Sequence, residues 1–433
     1  MKLSNPEHPM RSRSARRRIV VVLAAAASVS LALAGCSGNA GSDKVTLSYA
    51  IWDAPQKPAM QKIVDEFEKQ NPNIQVKIQV TPWDTYWTKL QTAATGGSAP
   101  DVFWMNDANL PNYANGGAIA SLQNRIDADK MDMSNYVQAQ VKADSWDGKV
   151  FGIPKDVDAI GLWYNKKLFA DAGVPVPTAD WTQQDLITAA KKLTDPAKGV
   201  YGIAAQDAAQ QSYYSTIPQA GGYVISPDKK KSGYDTPEAI AGVQFWVDLI
   251  NKYKVSPTLQ QMTDTDPDTM FQSGKVAMIY EGSWAATQFN GVPYAKANAQ
   301  VAPMPKGSQA GGVTNGLANV MSAKTAHPDQ AWAFLKFLGS KRAADIQAET
   351  GTVIPAYNGT AEVWAKSLPN YNLSVFVDAL KTATAYPASL NTAVWQDAAT
   401  KEFDKAWTGD ESVETAAKNV TAMMNTALAA EQK

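Results

Sequence analysis

The sequence predicts an α/β protein built as two lobes, and three observations carry that expectation. From Val45 onward, segments with strand periodicity alternate with segments at helical spacing, the pattern of a sheet joined by crossover helices. Roughly 400 residues follow Gly35, more than one hydrophobic core usually organises. The stretch GKVFGIPKDVDAIGLWYNKKLF reads as strand, short break, strand, so the break at Pro154 to Asp158 is expected to cross from one lobe to the other.

Taken in order, KVTLSYAIW places Val45, Leu47, Tyr49 and Ile51 on one strand face. A helix follows with Met60, Ile63, Val64 and Phe67 on one side, stopping at Asn71-Pro72. IQVKIQV is a second strand, DTYWTKLQTAATGG a helix expected to be capped by Asp84, and DVFWMN a third strand. Right-handed crossovers make such strands parallel, and ligands bind beyond their carboxyl ends. The loops holding Trp52 and Asp53, Trp83, and Asn106 and Asp107 therefore point to a site. In the second half, Thr182 with Asp185 predicts a capping box. Thr236-Pro237 opens a helix with an Ile240, Val243, Val247, Ile250 stripe. GKVAMIYEGSW is a buried-type strand ending in Glu281, Gly282, Ser283 and Trp284; AQVAPMPKG and GLANVMSA are strands, and PDQAWAFLKFLGS a helix. The expected organisation is 45–157 plus 298–338 as one lobe and 158–297 plus 339–433 as the other.

The first 35 residues read as a targeting segment. A basic start (Lys2, Arg11, Arg13, Arg16, Arg17, Arg18) precedes the apolar run Ile19 to Gly35, with small residues at its end. A retained membrane helix is the alternative, though the run is at the short limit for spanning a bilayer. The one cysteine of the chain, Cys36, follows at once. Leu33-Ala34-Gly35-Cys36 resembles a bacterial lipobox, in which the cysteine sulfur receives a diacylglycerol and becomes the first residue after cleavage. A chain without a second cysteine has no disulfide to mispair with that thiol. The run from 36 to 44, small and polar, is expected to be a flexible tether.

Several chemistries are excluded. The leader holds six of the 40 Lys and Arg but only one of the 41 Asp and Glu, so the remainder is acidic and keeps no basic tract for nucleic acid. Beyond His8 in the leader, His327 is the only histidine. It opens a helix beside Pro328, which leaves no Ser-His-Asp triad, Cys-His pair or multi-imidazole zinc site. No phosphate-binding glycine loop appears. Asp264, Asp266 and Asp268 alternate like the start of a calcium loop, but Thr269 and Lys275 stand where glycine and glutamate are required. These aspartates are expected to cap a helix begun by Pro267. Asp156 and Asp158 could be offered as a glycosidase pair; two residues apart, they more simply accept hydrogen bonds from ligand hydroxyls or backbone. No cofactor or metal is expected.

What the sequence does supply is 13 tryptophans, several at predicted strand ends beside carboxylates or amides. Trp163, Trp246 and Trp332 lie inside elements and are expected in the core. Aromatic planes cover the C–H faces of a sugar, and carboxylates take its hydroxyls. The pairings Trp52/Asp53, Trp83/Asp84, Asn106/Asp107 and Glu281/Trp284 provide that mixture.

The segments GSAPDVFWMNDANLPNYANGGAI, DGKVFGIPKDVDAIGLWYNKKLFADAGVP, FQSGKVAMIYEGSW and AWAFLKFLGSK resemble, in order and spacing, the extracellular solute-binding proteins of carbohydrate ABC importers, the maltose-binding-protein superfamily. The resemblance covers about Val45 to Trp407. It implies a two-lobed periplasmic-binding-protein fold of type II, a sugar in the cleft between lobes, delivery to a pair of membrane permease subunits, and no catalysis. It also implies that Trp52 and Asp53, Asp107, Asp158 and Trp284 contact the sugar, the last by stacking. The maltose branch has arginine after its third-strand aspartate where this chain has Ala108, so the resemblance does not extend to maltose specificity. With Trp83, Asn106, Asp156, Glu281 and Asn315, and with Tyr213, Tyr214, Tyr386, Asn391 and Trp395 as second-rank members, these form the candidate ligand-contacting set. The expected partners are an oligosaccharide, the permease subunits and the membrane through the lipid; the chain is expected to be monomeric. Cys36→Ala is predicted to release the protein from membranes, and continued pelleting of the variant with the membrane fraction would contradict that.

Overall fold

A computed structural model describes residues 44–432, and the segments expected to be a signal peptide and a tether, with Cys36 and all residues up to 43, lie outside the described residues. Thirteen strands occur among them: β1 Val45–Ile51, β2 Ile74–Val80, β3 Val102–Asn106, β4 Ser145–Trp146, β5 Lys149–Val150, β6 Gly152–Val157, β7 Ile160–Asn165, β8 Met278–Gly282, β9 Ala299–Ala302, β10 Val313–Thr314, β11 Gly316–Met321, β12 Ile354–Pro355 and β13 Thr384–Ala385. The larger sheet runs β12-β6-β11-β3-β1-β2. Its first three strands in the chain pair in parallel, β1 with β2 and with β3. The later β11 inserts antiparallel between β3 and β6. The smaller sheet is β8-β7-β9, all antiparallel.

Why these residues make these layers follows from the faces they bury. In the helix Lys57–Gln70, Ala59, Met60, Ile63, Val64 and Phe67 are buried, the helical spacing expected of a stripe laid on a sheet. They share a core with Leu47, Tyr49, Phe334 and Leu335 on one side of the larger sheet. Tyr86, Leu90, Phe103 and Leu110 form a second core on its other side. Both faces covered is what parallel strands require. The smaller sheet anchors a separate, larger core through Trp163, Trp246, Phe289 and Phe403.

Capping chemistry sets several boundaries as the sequence indicates. Thr182 and Asp185 form a reciprocal capping box, Thr236 caps the helix Pro237–Asn251, and Asp266 accepts from the Thr269 amide at the start of Pro267–Gln272. Trp163, Trp246 and Trp332 are core residues. Asp84, in contrast, is not a cap: Pro82 holds that position and Asp84 lies in the first turn of Trp83–Gly96.

One strand break and two lobe boundaries differ from the sequence reading. The first crossing does not break at Pro154; β6 runs on to Val157 because Pro154 faces a β-bulge, where the register with β11 shifts between Leu317 and Ala318, and a missing N–H is tolerated there. The chain leaves the strand at 158–159. The return crossing is also later than 298. β9 pairs with β7 in the smaller sheet, and the Lys306 amide donates to Trp181 O while the Gln219 amide donates to Gly311 O, so this stretch stays with the second lobe. Residues 339–353 likewise belong to the first lobe: Ala343 and Ile346 enter its core and β12 pairs with β6. Lys341–Glu349 offers few large apolar side chains to mark its destination, and a strand edge accepts whichever partner the chain brings to it.

Gly161 in β7 marks how tightly the second lobe is packed, since a Cβ there would stand 2.8 Å from a Phe376 ring carbon and 2.9 Å from Val301 Cγ2. Gly161→Ala is predicted to cost about 1–3 kcal/mol by overpacking, seen as a lower midpoint with unchanged slope in urea unfolding; wild-type stability would show that the ring has room to move.

Candidate functional site

Three connections join the lobes, and the strands on either side of them carry carboxylates. At the first, the Asp158 amide donates to Asn315 O, and Thr314 Oγ1 donates to Asp158 O. Asp158 Oδ1 accepts from the Asn315 amide at 3.0 Å and from Gln210 Nε2 at 2.8 Å, so this side chain ties two connections and a second-lobe loop together. Asn315 Nδ2 donates in turn to Gln210 Oε1. Next to it, Lys155 Nζ donates to Asp156 Oδ2 and to Gln56 Oε1, and lies 4.4 Å over the Trp104 ring. From the first lobe, Asp107 Oδ1 accepts from Gln140 Nε2 at 2.7 Å, and the same amide reaches Asp144 Oδ1 at 3.0 Å. Gly316 leaves room for the Gln140 amide, which a Cβ there would displace.

Burial dominates the electrostatics of this group. It pushes Asp107 up to about 7 and Asp158 up to about 8, against the hydrogen bonds from Gln140 and the Asn315 amide, with the Asp156 charge adding to both. Burial also raises Asp144 and Asp156, the latter opposed by Lys155. Of these four carboxyls only Asp156 is paired with an ammonium, so the cluster is rich in groups that gain from incoming hydroxyl donors.

An aromatic wall stands beside it on the first lobe. Trp52 meets Trp83, Tyr86, Trp87 and Trp104 with ring centroids 5.0–5.7 Å apart. Trp83 is 48% exposed, while Trp87 has a buried Nε1 with no partner and touches Tyr113. Asp53 follows Trp52 and accepts from Gln56 through Oδ2. On the second lobe, the penultimate residue of β8 is buried Glu281, whose Oε1 accepts from the Gly282 amide. The Trp284 ring lies against Gly282, where a Cβ would come within 2.2 Å of it. That close approach holds the indole at the strand end, half-exposed.

The candidate residues thus fall into groups. Asp107, Asp156, Asp158 and Asn315 gather at the connections, and Tyr386 joins them through its backbone amide, which donates to Thr314 O beside Asn315. Trp52, Asp53 and Trp83 line the first lobe, Glu281 and Trp284 the second. Asn106 spends its Oδ1 on Asn109 within its own loop. Tyr213, Tyr214 and Trp395 are not on a ligand-facing surface: they are 0–1% exposed in the second-lobe core. There Tyr213 packs on Phe403 and Trp407, Tyr214 on Tyr386, and Trp395 Nε1 donates to Ser389 Oγ. Asn391 is held by its backbone amide to Glu431 Oε1. The sequence reading missed Trp87, Gln140, Asp144, Lys155 and Gln210. Trp87, four residues after Trp83, was within reach of a helical-spacing argument; the polar ones carry no local signal.

Two α/β lobes joined by short connections, with carboxylates at the crossing and aromatic side chains above it, define a two-lobed binding protein. The chain belongs to the bacterial extracellular solute-binding protein family, whose model matches residues 53–345, and members of that family work outside the cytoplasmic membrane. The maltodextrin-binding protein MdxE of Bacillus subtilis is 26% identical over 90% of this chain and 93% of its own. Among solved structures, an ABC substrate-binding protein from Listeria monocytogenes in complex with cycloalternan is 29% identical, with a TM-score of 0.85, covering 89% of this chain and all of that one. The GacH receptor of Streptomyces glaucescens shares the fold at 24% identity and a TM-score of 0.80, over 89% of this chain and 99% of that one. The protein is therefore a carbohydrate-type ABC solute-binding protein, and its named relatives bind solutes rather than transform them.

Raised carboxyl pKa values have a signed consequence. The folded state holds the Asp107 and Asp158 protons more tightly than the unfolded chain does, so their contribution to stability is full below about pH 4 and is lost as pH rises through 7 and 8. The ligand-free protein is predicted to melt at least about 3 °C lower at pH 8 than at pH 5. Asp158→Asn should flatten that slope in calorimetry, and an unchanged slope would remove Asp158 from the account.

Proposed function

We propose that this chain is the lipid-anchored, oligosaccharide-capturing component of an ABC importer. Cys36 carries the diacyl anchor at the outer face of the cell membrane, and the run to residue 44 is the tether that lets the lobes reach a permease. The sugar binds between the lobes, its hydroxyls donating to Asp107, Asp158 and Glu281 and its rings lying against Trp52 and Trp284. The observation that carries this reading is the coincidence of the buried carboxyl cluster with aromatic side chains on both lobes at the strand ends. The maltodextrin-binding and cycloalternan-bound relatives support an oligosaccharide over a monosaccharide.

Because the sugar contacts both lobes, it favours the closed arrangement by its differential affinity. Micromolar affinity, about −8 kcal/mol, suits capture followed by release to a permease. The test is a titration of the soluble domain with di- to tetrasaccharides followed by intrinsic tryptophan fluorescence, with the sugar recovered afterwards. A saturable change with intact sugar supports the proposal, cleaved sugar would make the chain a glycosidase, and silence across the panel would point to another solute. Trp284→Ala is predicted to weaken binding tenfold or more while leaving the melting temperature within a few degrees; wild-type affinity in titration calorimetry would contradict the stacking role.

A further inference from the structure

Gln56 stands at the N-cap of the helix Lys57–Gln70, yet its side chain makes no capping bond. Short oxygen-bearing side chains serve that position best, and here the backbone closes the first turn instead, with Gln56 O accepting from the Ala59 and Met60 amides at 3.1 Å each. The Gln56 side chain is buried and spends both ends elsewhere. Its Oε1 accepts from Lys155 Nζ of β6 at 2.9 Å, and its Nε2 donates at 2.8 Å to Oδ2 of Asp53, in the loop after β1. Lys155 is itself fixed, since its ammonium also donates to Asp156 and lies 4.4 Å from the centre of the Trp104 ring. Trp104 in turn meets Trp52, the residue before Asp53, at 5.1 Å.

These partners leave the amide one orientation. An ammonium has only protons to donate and an ionised carboxylate only lone pairs to accept them, so the oxygen faces Lys155 and the nitrogen faces Asp53. Turned over, the amide would set like partial charges against both neighbours. An amide whose oxygen accepts from a cation is polarised and donates more strongly at its nitrogen. Burial raises the Asp53 carboxyl, with Asp156 adding to the rise, and the Gln56 hydrogen bond and the Lys155 charge oppose it. Among the described residues no other hydrogen bond reaches this carboxylate, so Oδ1 keeps its accepting capacity. We propose that Gln56 is a positioning residue of the sugar site, anchored by Lys155 and holding Asp53 by Oδ2 so that Oδ1 is set to accept from a ligand hydroxyl, an inference that rests on the oligosaccharide reading above.

Titration calorimetry of the purified protein with maltotriose, cellotriose, mannotriose and cycloalternan selects the tightest of the four as the probe. Asp53→Ala, Gln56→Leu and Gln56→Glu should each weaken its binding by about tenfold, the size of one lost charge-assisted hydrogen bond. Gln56→Glu still accepts from Lys155, so it should melt within a few degrees of wild type; a merely structural role would restore affinity along with stability. Adding either Gln56 variant to Asp53→Ala should cost less than about twofold more, because Gln56 acts through Asp53. Wild-type affinity in Gln56→Glu, or a second loss of about tenfold in the double variants, overturns the positioning role. Wild-type affinity in Asp53→Ala overturns it too and leaves the oligosaccharide reading standing. No saturable binding of any of the four sugars to the wild-type protein overturns both.

Discussion

Everything at this site depends on the cost of burying carboxylates where two lobes meet. Asp107, Asp144, Asp156 and Asp158 are all raised by burial and only Asp156 has a lysine beside it, and an acid taken out of water is stable only if neutral or supplied with donors. The protein provides some of those donors itself, through Gln140, Gln210, the Asn315 amide and Lys155. The remaining capacity is what a polyhydroxylated ligand can fill. The same arrangement explains why the connections are paired so closely: Thr314 and Asn315 bond directly to Asp158, so the charge-bearing residue is also a structural tie between two of the segments that any lobe movement must bend.

The aromatic wall complements this from the first lobe. Its rings meet mostly edge to face, the arrangement favoured by their quadrupoles, and Trp104 is fixed from behind by Nε1 donating to the Tyr49 hydroxyl, which donates to Asn319. The wall is therefore rigid. On the second lobe Trp284 depends on Gly282 for its seat, so each lobe offers a preset surface and binding need not order loose side chains.

Much of this organisation was legible in the sequence because it is local. Strand and helix periods, the Thr182 box, the Thr236 cap and the core tryptophans all follow from residues within one element. The lobe boundaries were less legible, since whether β9 pairs with β7 or with another edge, and where Lys341–Glu349 packs, is decided by tertiary contacts. Pro154 suggested a break, and a bulge accommodated it instead. At the site, strand-end loops located Trp52, Asp107 and Glu281, but Tyr213 and Trp395 fell into the core because aromatic residues in a loop and in a core look alike by type. Gln140 and Gln210 were invisible for a different reason: their importance lies in partners 33 and 52 residues away.

The central claim is that one ligand is held by both lobes at once. Amide hydrogen exchange with and without a saturating oligosaccharide tests it most directly. The account predicts slower exchange in the loop around Trp52 and Asp53, in the crossing around Asp158 and Asn315, and at Gly282 to Trp284 of the opposite lobe. Protection confined to a single lobe would contradict it.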